Sequence, residues 1–109
     1  MKVLTTPEVF DYLNELVTIL HEKGYFGIEY LAIDYVDKLL YDITTNLPSK
    51  QHKPAPAYFD KYGKNMEYAS FRKNRNTAWY AFFTTYWEND EEIYLVRYIA
   101  NNHVIAKYL

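Results

Sequence analysis

Residues 66–100 read MEYASFRKNRNTAWYAFFTTYWENDEEIYLVRYIA. The stretch predicts three consecutive strands: Met66 to Arg72, Thr77 to Trp87, and Glu92 to Ala100. Each run is rich in aromatic and β-branched residues, which suit a pleated, half-buried surface. Asn74-Arg75-Asn76 and Glu88-Asn89-Asp90 break the runs with short polar segments that fit hairpin turns. A three-stranded antiparallel meander follows. Period-two alternation places Trp79, Ala81, Phe83 and Trp87 on one face of the second strand, with Tyr80, Phe82 and Tyr86 on the other. In the third strand it groups Ile93, Leu95 and Ile99 with Arg97, and opposes Tyr94, Val96 and Tyr98 to them. Both faces are apolar, so one covers helices and the other is partly exposed.

The residues before this meander supply the helices. Lys2 to Thr5 fits a short opening strand. Thr6-Pro7-Glu8 then starts a helix: a hydroxyl to cap it, a proline at its first position and an acid facing the positive end of its dipole. Val9, Leu13, Leu16, Val17 and Leu20 follow at helical spacing, and Gly24 stops the run. A second helix carries Ile28, Leu31, Ala32, Tyr35, Val36, Leu39, Leu40 and Ile43 on one stripe. Asn46-Leu47-Pro48 ends it. The short connection around Gly24 to Gly27 makes the pair an antiparallel hairpin whose apolar stripes bury against the sheet. Residues 48–65 form a long polar connection with three prolines, and connections of this length often carry function. The expected fold is α+β: a short N-terminal strand, an antiparallel helical hairpin, then the meander, in a single domain over 1–109.

Composition narrows the classes. Half of the 109 residues are apolar and 19% are aromatic, which is the signature of a folded globule with a real core. The absence of cysteine excludes a disulfide framework and a thiolate zinc site, and fits a reducing compartment. The first apolar residues run into polar Thr5-Thr6 too soon for a signal peptide or a spanning helix, so a cytoplasmic protein with no membrane partner is expected. The net charge of −2 hides an asymmetry: residues 1–49 hold three lysines against eight carboxylates, and residues 50–109 nine cations against six. A localised anion-binding face fits this better than a general nucleic-acid coat.

Within the meander, Tyr94-Leu95-Val96-Arg97-Tyr98-Ile99-Ala100-Asn101-Asn102-His103 resembles the last strand of the RelE/ParE superfamily of bacterial toxins, an apolar run with an arginine that leads into a His-x-Arg-Arg type turn. The element order resembles that family over nearly the whole chain. Arg97 matches the strand arginine, and Tyr108 follows Asn102 at the spacing of the family's C-terminal tyrosine. The chain departs from the pattern elsewhere. Ala100 stands where many members have histidine, Asn102 where the RelE-like catalytic arginine stands, and Thr77 or Ala78 where an arginine opens the third strand of the sheet. Ser70, Arg72 and Lys73 correspond loosely to strand positions that RelE-like enzymes fill with lysines.

The resemblance implies the toxin component of a type II toxin–antitoxin pair, acting as a ribosome-dependent mRNA endoribonuclease that needs no metal or cofactor. In that chemistry the 2′-hydroxyl attacks the adjacent phosphate, so the site needs a base, cations around the phosphorane and a proton for the leaving oxygen. Arg72, Lys73 and Arg75 crowd the first hairpin turn and can stabilise that charge. The plainer reading of this cluster is a solvated turn. His103 is the acid–base candidate because histidine titrates near neutrality, and the plainer reading is a surface histidine in a frayed tail. Tyr108 can stack on a base or donate its hydroxyl. His52, in the lysine-rich connection, is a weaker candidate, and His21 belongs to the end of the first helix, where the dipole favours it. Arg97 fits a structural role, snorkelling or pairing with Asp34, Asp37 or Glu67, with a catalytic role as the alternative.

The implied partners are a cognate antitoxin, whose segment folds on binding, and the ribosome with its mRNA. Two alternatives stay open: a ParE-like, non-enzymatic inhibitor of DNA gyrase, and a degenerate family member that only binds.

Overall fold

The computed structural model describes residues 1–109. It is an α+β protein. In chain order the elements are β1 (Lys2–Thr5), α1 (Pro7–Glu22), α2 (Glu29–Asn46), β2 (Lys53–Pro54), β3 (Glu67–Arg72), β4 (Ala78–Glu88), β5 (Glu91–Asn101) and a short α3 (Asn102–Ile105). Three 3-10 turns lie at Leu47–Ser49, Ala57–Lys61 and Ala106–Tyr108.

The local signals act as their chemistry requires. Thr6 Oγ1 accepts the Val9 N–H at 3.3 Å and caps α1, with Pro7 at its first position. Gly24 ends that helix at φ +76°, a conformation that costs a residue without Cβ little. Asn89 and Asp90 both take positive φ, which makes the β4–β5 connection a tight two-residue turn whose twist matches the strands.

The sheet differs from the expected three-stranded meander. It has five strands in the order β1-β5-β4-β3-β2 and is mixed. The opening strand returns to the sheet and pairs parallel to β5, from Lys2 opposite Ile93 to Thr5 opposite Val96. The two residues of β2 pair antiparallel with β3 at the other edge. Neither pairing has a turn to announce it. The connection before β3 is not a plain loop either, because Phe59 within it is fully buried.

The face assignment of β5 also changes. Phe82 pairs with Tyr98 but Phe83 pairs with Val96, so Arg97 is the extra residue of a β-bulge. Alternation therefore reverses at Arg97. Tyr94, Val96 and Ile99 all join the helix-side core, with Val9, Leu13, Leu16, Val36, Leu39, Ile43, Phe71, Trp79 and Phe83. Tyr98 and Ala100 face the other way. On β4 the expected faces hold for Trp79, Ala81 and Phe83 against Tyr80 and Phe82. Trp87, near the protruding β4–β5 tip, is 70% exposed.

The face turned away from the helices has its own small core. Phe59, Met66, Phe82, Ala100 and Ile105 are buried together, and Tyr62, Tyr68, Tyr80, Tyr98 and Tyr108 pack around them. The 57–61 turn and the C-terminal segment thus cover part of this face. On the helix side, Ala32, Val36, Leu39 and Ile43 of the expected α2 stripe are buried, whereas Ile28 and Leu31 are exposed.

Candidate functional site

Ala69 and Phe71 of β3 point into the helix-side core, so Tyr68, Ser70 and Arg72 project from the opposite face. Tyr80 of β4 lies across from Ser70, and Ala78 across from Arg72. The rings of Tyr68 and Tyr80 meet edge to face at 5.9 Å. They border a groove of about 500 Å³, lined also by Lys50, Gln51, Lys53 and Ser70. The β2–β3 pairing sets Lys53 directly opposite Tyr68, which brings a cation beside the aromatic pair. Lys50 reaches the groove's rim, but its Nζ lies 4.9 Å from the ring centroid of Phe71, on the helix-facing side. Arg72 Nη2 donates to the Arg75 carbonyl at 2.8 Å, which ties this guanidinium to its own turn.

This groove combines flat aromatic surface with cations and a hydroxyl. Such a surface suits the bases and phosphates of a single strand. No group of three or more histidine or acidic side chains is placed to hold a metal ion. No helix is long and apolar enough to cross a membrane.

Further along the same face runs a pile of tyrosines. Tyr108 stacks on Tyr58 at 3.6 Å between centroids, with the ring planes 5° apart. Lys61 Nζ sits 3.9 Å above Tyr58. Hydrogen bonding with Lys61, and then with Tyr108, lowers the Tyr58 pKa, and the same contact raises that of Lys61. Tyr62 stacks on Tyr98 at 3.8 Å. Burial, then hydrogen bonding to Tyr62, holds the Tyr98 phenol far above its usual range.

The candidate residues divide between the two faces. Arg72 lies on the groove side and Arg75 is exposed in the turn. Tyr108 belongs to the tyrosine pile and packs against the small core of that side. Lys73 turns to the helix side, 5.0 Å over the Tyr35 ring, and burial lowers its pKa. His103 is exposed on the helix side too, its Nε2 3.3 Å from Thr77 Oγ1. Arg72 and Tyr108 are therefore separated by the sheet from Lys73 and His103.

His52 is a packing residue. Its Nε2 hydrogen-bonds the Leu47 carbonyl at 2.8 Å, and its ring meets Phe83 edge-on at 4.8 Å. His21 Nδ1 pairs with the Phe26 carbonyl at 3.1 Å and braces the helical hairpin. Arg97 pairs with none of the expected carboxylates; its Nε donates to Thr84 Oγ1 at 3.0 Å. Asn102 Oδ1 accepts from the Ala78 N–H at 3.0 Å while its Nδ2 donates to the Asn76 carbonyl at 3.1 Å. It pins the β3–β4 turn from the chain's last segment.

The sequence alone does not mark Tyr68, Tyr80 or Lys53 as site residues. Alternation through Tyr68, Ser70 and Arg72 carries part of the signal. The approach of Lys53 depends on the β2 pairing, which no local pattern marks.

No protein-family description, curated protein or solved structure matches this chain.

Proposed function

We propose that this chain is a RelE/ParE-like toxin of a two-component toxin–antitoxin pair, and that it acts on translated messenger RNA through the sheet face turned away from its helices. The observation that carries this reading is the groove where Tyr68 and Tyr80 meet the cation Lys53, with Arg72 projecting from the same face of β3. Aromatic faces hold unstacked bases and cations hold phosphates, so an exposed message is a fitting ligand. The order of opening strand, helical hairpin and meander supports the family reading. An antitoxin is the expected partner, and the cytoplasm the expected compartment.

Cleavage in this reading is attack of a 2′-hydroxyl on the neighbouring phosphate, which leaves a cyclic phosphate and a free 5′-hydroxyl. Arg72 and Lys53 supply positive charge to the phosphorane. The experiment is expression of the chain in a translating extract, with mapping of message ends. New 5′-hydroxyl ends that vanish in a Lys53→Ala, Tyr80→Ala double variant support the proposal. Intact messages, or cleavage unaltered in that folded variant, refute it.

One observation favours a second reading. Asn102 stands at the position of the expected catalytic arginine and is spent on the hairpin backbone. A ParE-like inhibitor of DNA gyrase needs a binding surface and no phosphate site. Accumulated double-strand breaks with intact messages would select it.

A further inference from the structure

Tyr58, in the 57–61 turn, and Tyr108, in the 106–108 turn, stack with ring centroids 3.6 Å apart and planes 5° apart. We infer that this pair is a modification site, at which a one-electron oxidant joins the two rings into an intramolecular dityrosine.

The stack is held against the usual preference of aromatic rings. Offset or edge-to-face contact is normally favoured, because superposed π faces repel. Cations offset that repulsion here. Lys61 Nζ lies 3.9 Å from the Tyr58 centroid, and Lys107 Nζ lies 5.1 Å from that of Tyr108. Tyr108 also hydrogen-bonds the Tyr58 phenol, so both hydroxyls sit at the same end of the stack. Rings superposed in that sense bring their ortho carbons face to face. Those carbons carry much of the unpaired spin of a phenoxyl radical and are where two such radicals couple. Tyr58 is 40% exposed and Tyr108 half-buried, so an oxidant in solution reaches the pair.

Other tyrosines lack this combination. Tyr25, Tyr30 and Tyr41 are more exposed but are not stacked on a second tyrosine. Tyr62 and Tyr98 stack nearly as closely, at 3.8 Å and 6°, but both are partly buried and burial keeps the proton on the Tyr98 phenol. Lys61 instead favours the phenolate of Tyr58, and a phenolate passes to the neutral radical by loss of an electron alone.

In the reaction each phenol gives up one electron and its hydroxyl proton. The two radicals couple through a new bond between ortho carbons. Each of these carbons then sheds its hydrogen while the ring oxygen regains one. With hydrogen peroxide and a haem peroxidase as the oxidant, the two electrons and two protons turn one peroxide into two waters. The link ties the 57–61 turn to the C-terminal segment, over the small core that holds Phe59 and Ile105. Closing so long a loop restricts the unfolded chain and so stabilises the fold. The inference does not rest on the RNA-binding reading.

The test treats the full chain, at dilute concentration, with hydrogen peroxide and a haem peroxidase. The expected result is dityrosine fluorescence in monomeric protein, and a digest in which the peptides carrying Tyr58 and Tyr108 are joined with the loss of two hydrogens. The urea midpoint of the linked monomer should lie above that of untreated protein. Tyr58→Phe and Tyr108→Phe keep a ring to stack, and each should lose the monomer's link. Lys61→Gln should slow its formation. A link found only between copies, a Tyr62–Tyr98 link in place of the Tyr58–Tyr108 one, an unaltered rate in Lys61→Gln, or an unaltered urea midpoint would overturn the inference.

Discussion

Asn102 Oδ1 and the backbone N–H of Ala78 are 3.0 Å apart, a hydrogen bond between residues 24 positions distant in the chain. Through it, and through the bond from Asn102 Nδ2 to the Asn76 carbonyl, the segment after β5 holds the turn that carries Arg72 and Arg75. Asn102→Ala should cost about 1–3 kcal/mol, since the half-buried Ala78 donor loses its partner. Urea denaturation measures the loss. Hydrogen exchange should localise it, with the Ala78 amide exchanging faster and the β4–β5 amides little changed. An unaltered rate at Ala78 would remove the clamp from the account.

The Arg97 side chain packs against Gly63. A Cβ at Gly63 would lie 2.8 Å from Arg97 Cδ and 3.2 Å from Met66 Sδ. The arginine cannot swing aside without breaking its bond to Thr84. Gly63→Ala should therefore destabilise by about 1–3 kcal/mol, the usual scale of overpacking. Arg97→Ala should relieve much of that, so a double-mutant cycle is expected to show strong coupling. Additive effects would mean that the two residues do not press on each other.

The Trp79 side chain is almost fully buried, and its Nε1 donates to Tyr35 Oη at 2.9 Å, which links β4 to α2. Tyr35→Phe deletes the acceptor and keeps the ring. The unpaired indole N–H should cost about 1–3 kcal/mol. The indole N–H resonance should also move upfield as its hydrogen bond is lost. Denaturation midpoints and the proton spectrum check both.

Tyr98 sets an alkaline limit. Its phenol pKa is raised by burial and then by the Tyr62 hydrogen bond, so the folded state keeps this proton after the unfolded chain has released it. The associated stability is intact below the unfolded tyrosine pKa of about 10 and is lost as pH rises from there toward the raised folded value. Burial raises the phenols of Tyr12 and Tyr94 in the same direction. Urea midpoints should thus fall as pH climbs past about 10, and the fall should be shallower in Tyr98→Phe. Identical slopes for the two proteins would contradict the assignment to Tyr98.

Much of the secondary structure was legible because its causes are local. The Thr6 cap, Pro7, the helical periodicity and the two hairpin turns each act within a few residues. The α+β class and the helix-facing side of β4 follow from them. The partners of β1 and β2 were not legible, since strand pairing over long separations leaves no short-range mark. The candidate site was legible in part. The aromatic and basic character of the second half was plain, but the gathering of Lys53, Tyr68 and Tyr80 required the β2 register.

Arg97 shows most directly where sequence stops and tertiary structure begins. Alternation along Tyr94 to Ala100 is a property of an unbroken strand, and the sequence by itself determines that this segment is a strand with apolar residues on both faces. Whether Val96 and Ile99 share a face depends on one inserted residue. The bulge brings both into the helix-side core and leaves Arg97 with Thr84 and against Gly63. The same holds for the cations: their crowding around one turn is written in the sequence, but Arg72 and Lys73 go to opposite faces because adjacent side chains on an extended backbone point apart. Backbone chemistry acts over a few residues and sets the elements; packing across the sheet acts over the whole chain and decides which side chains meet.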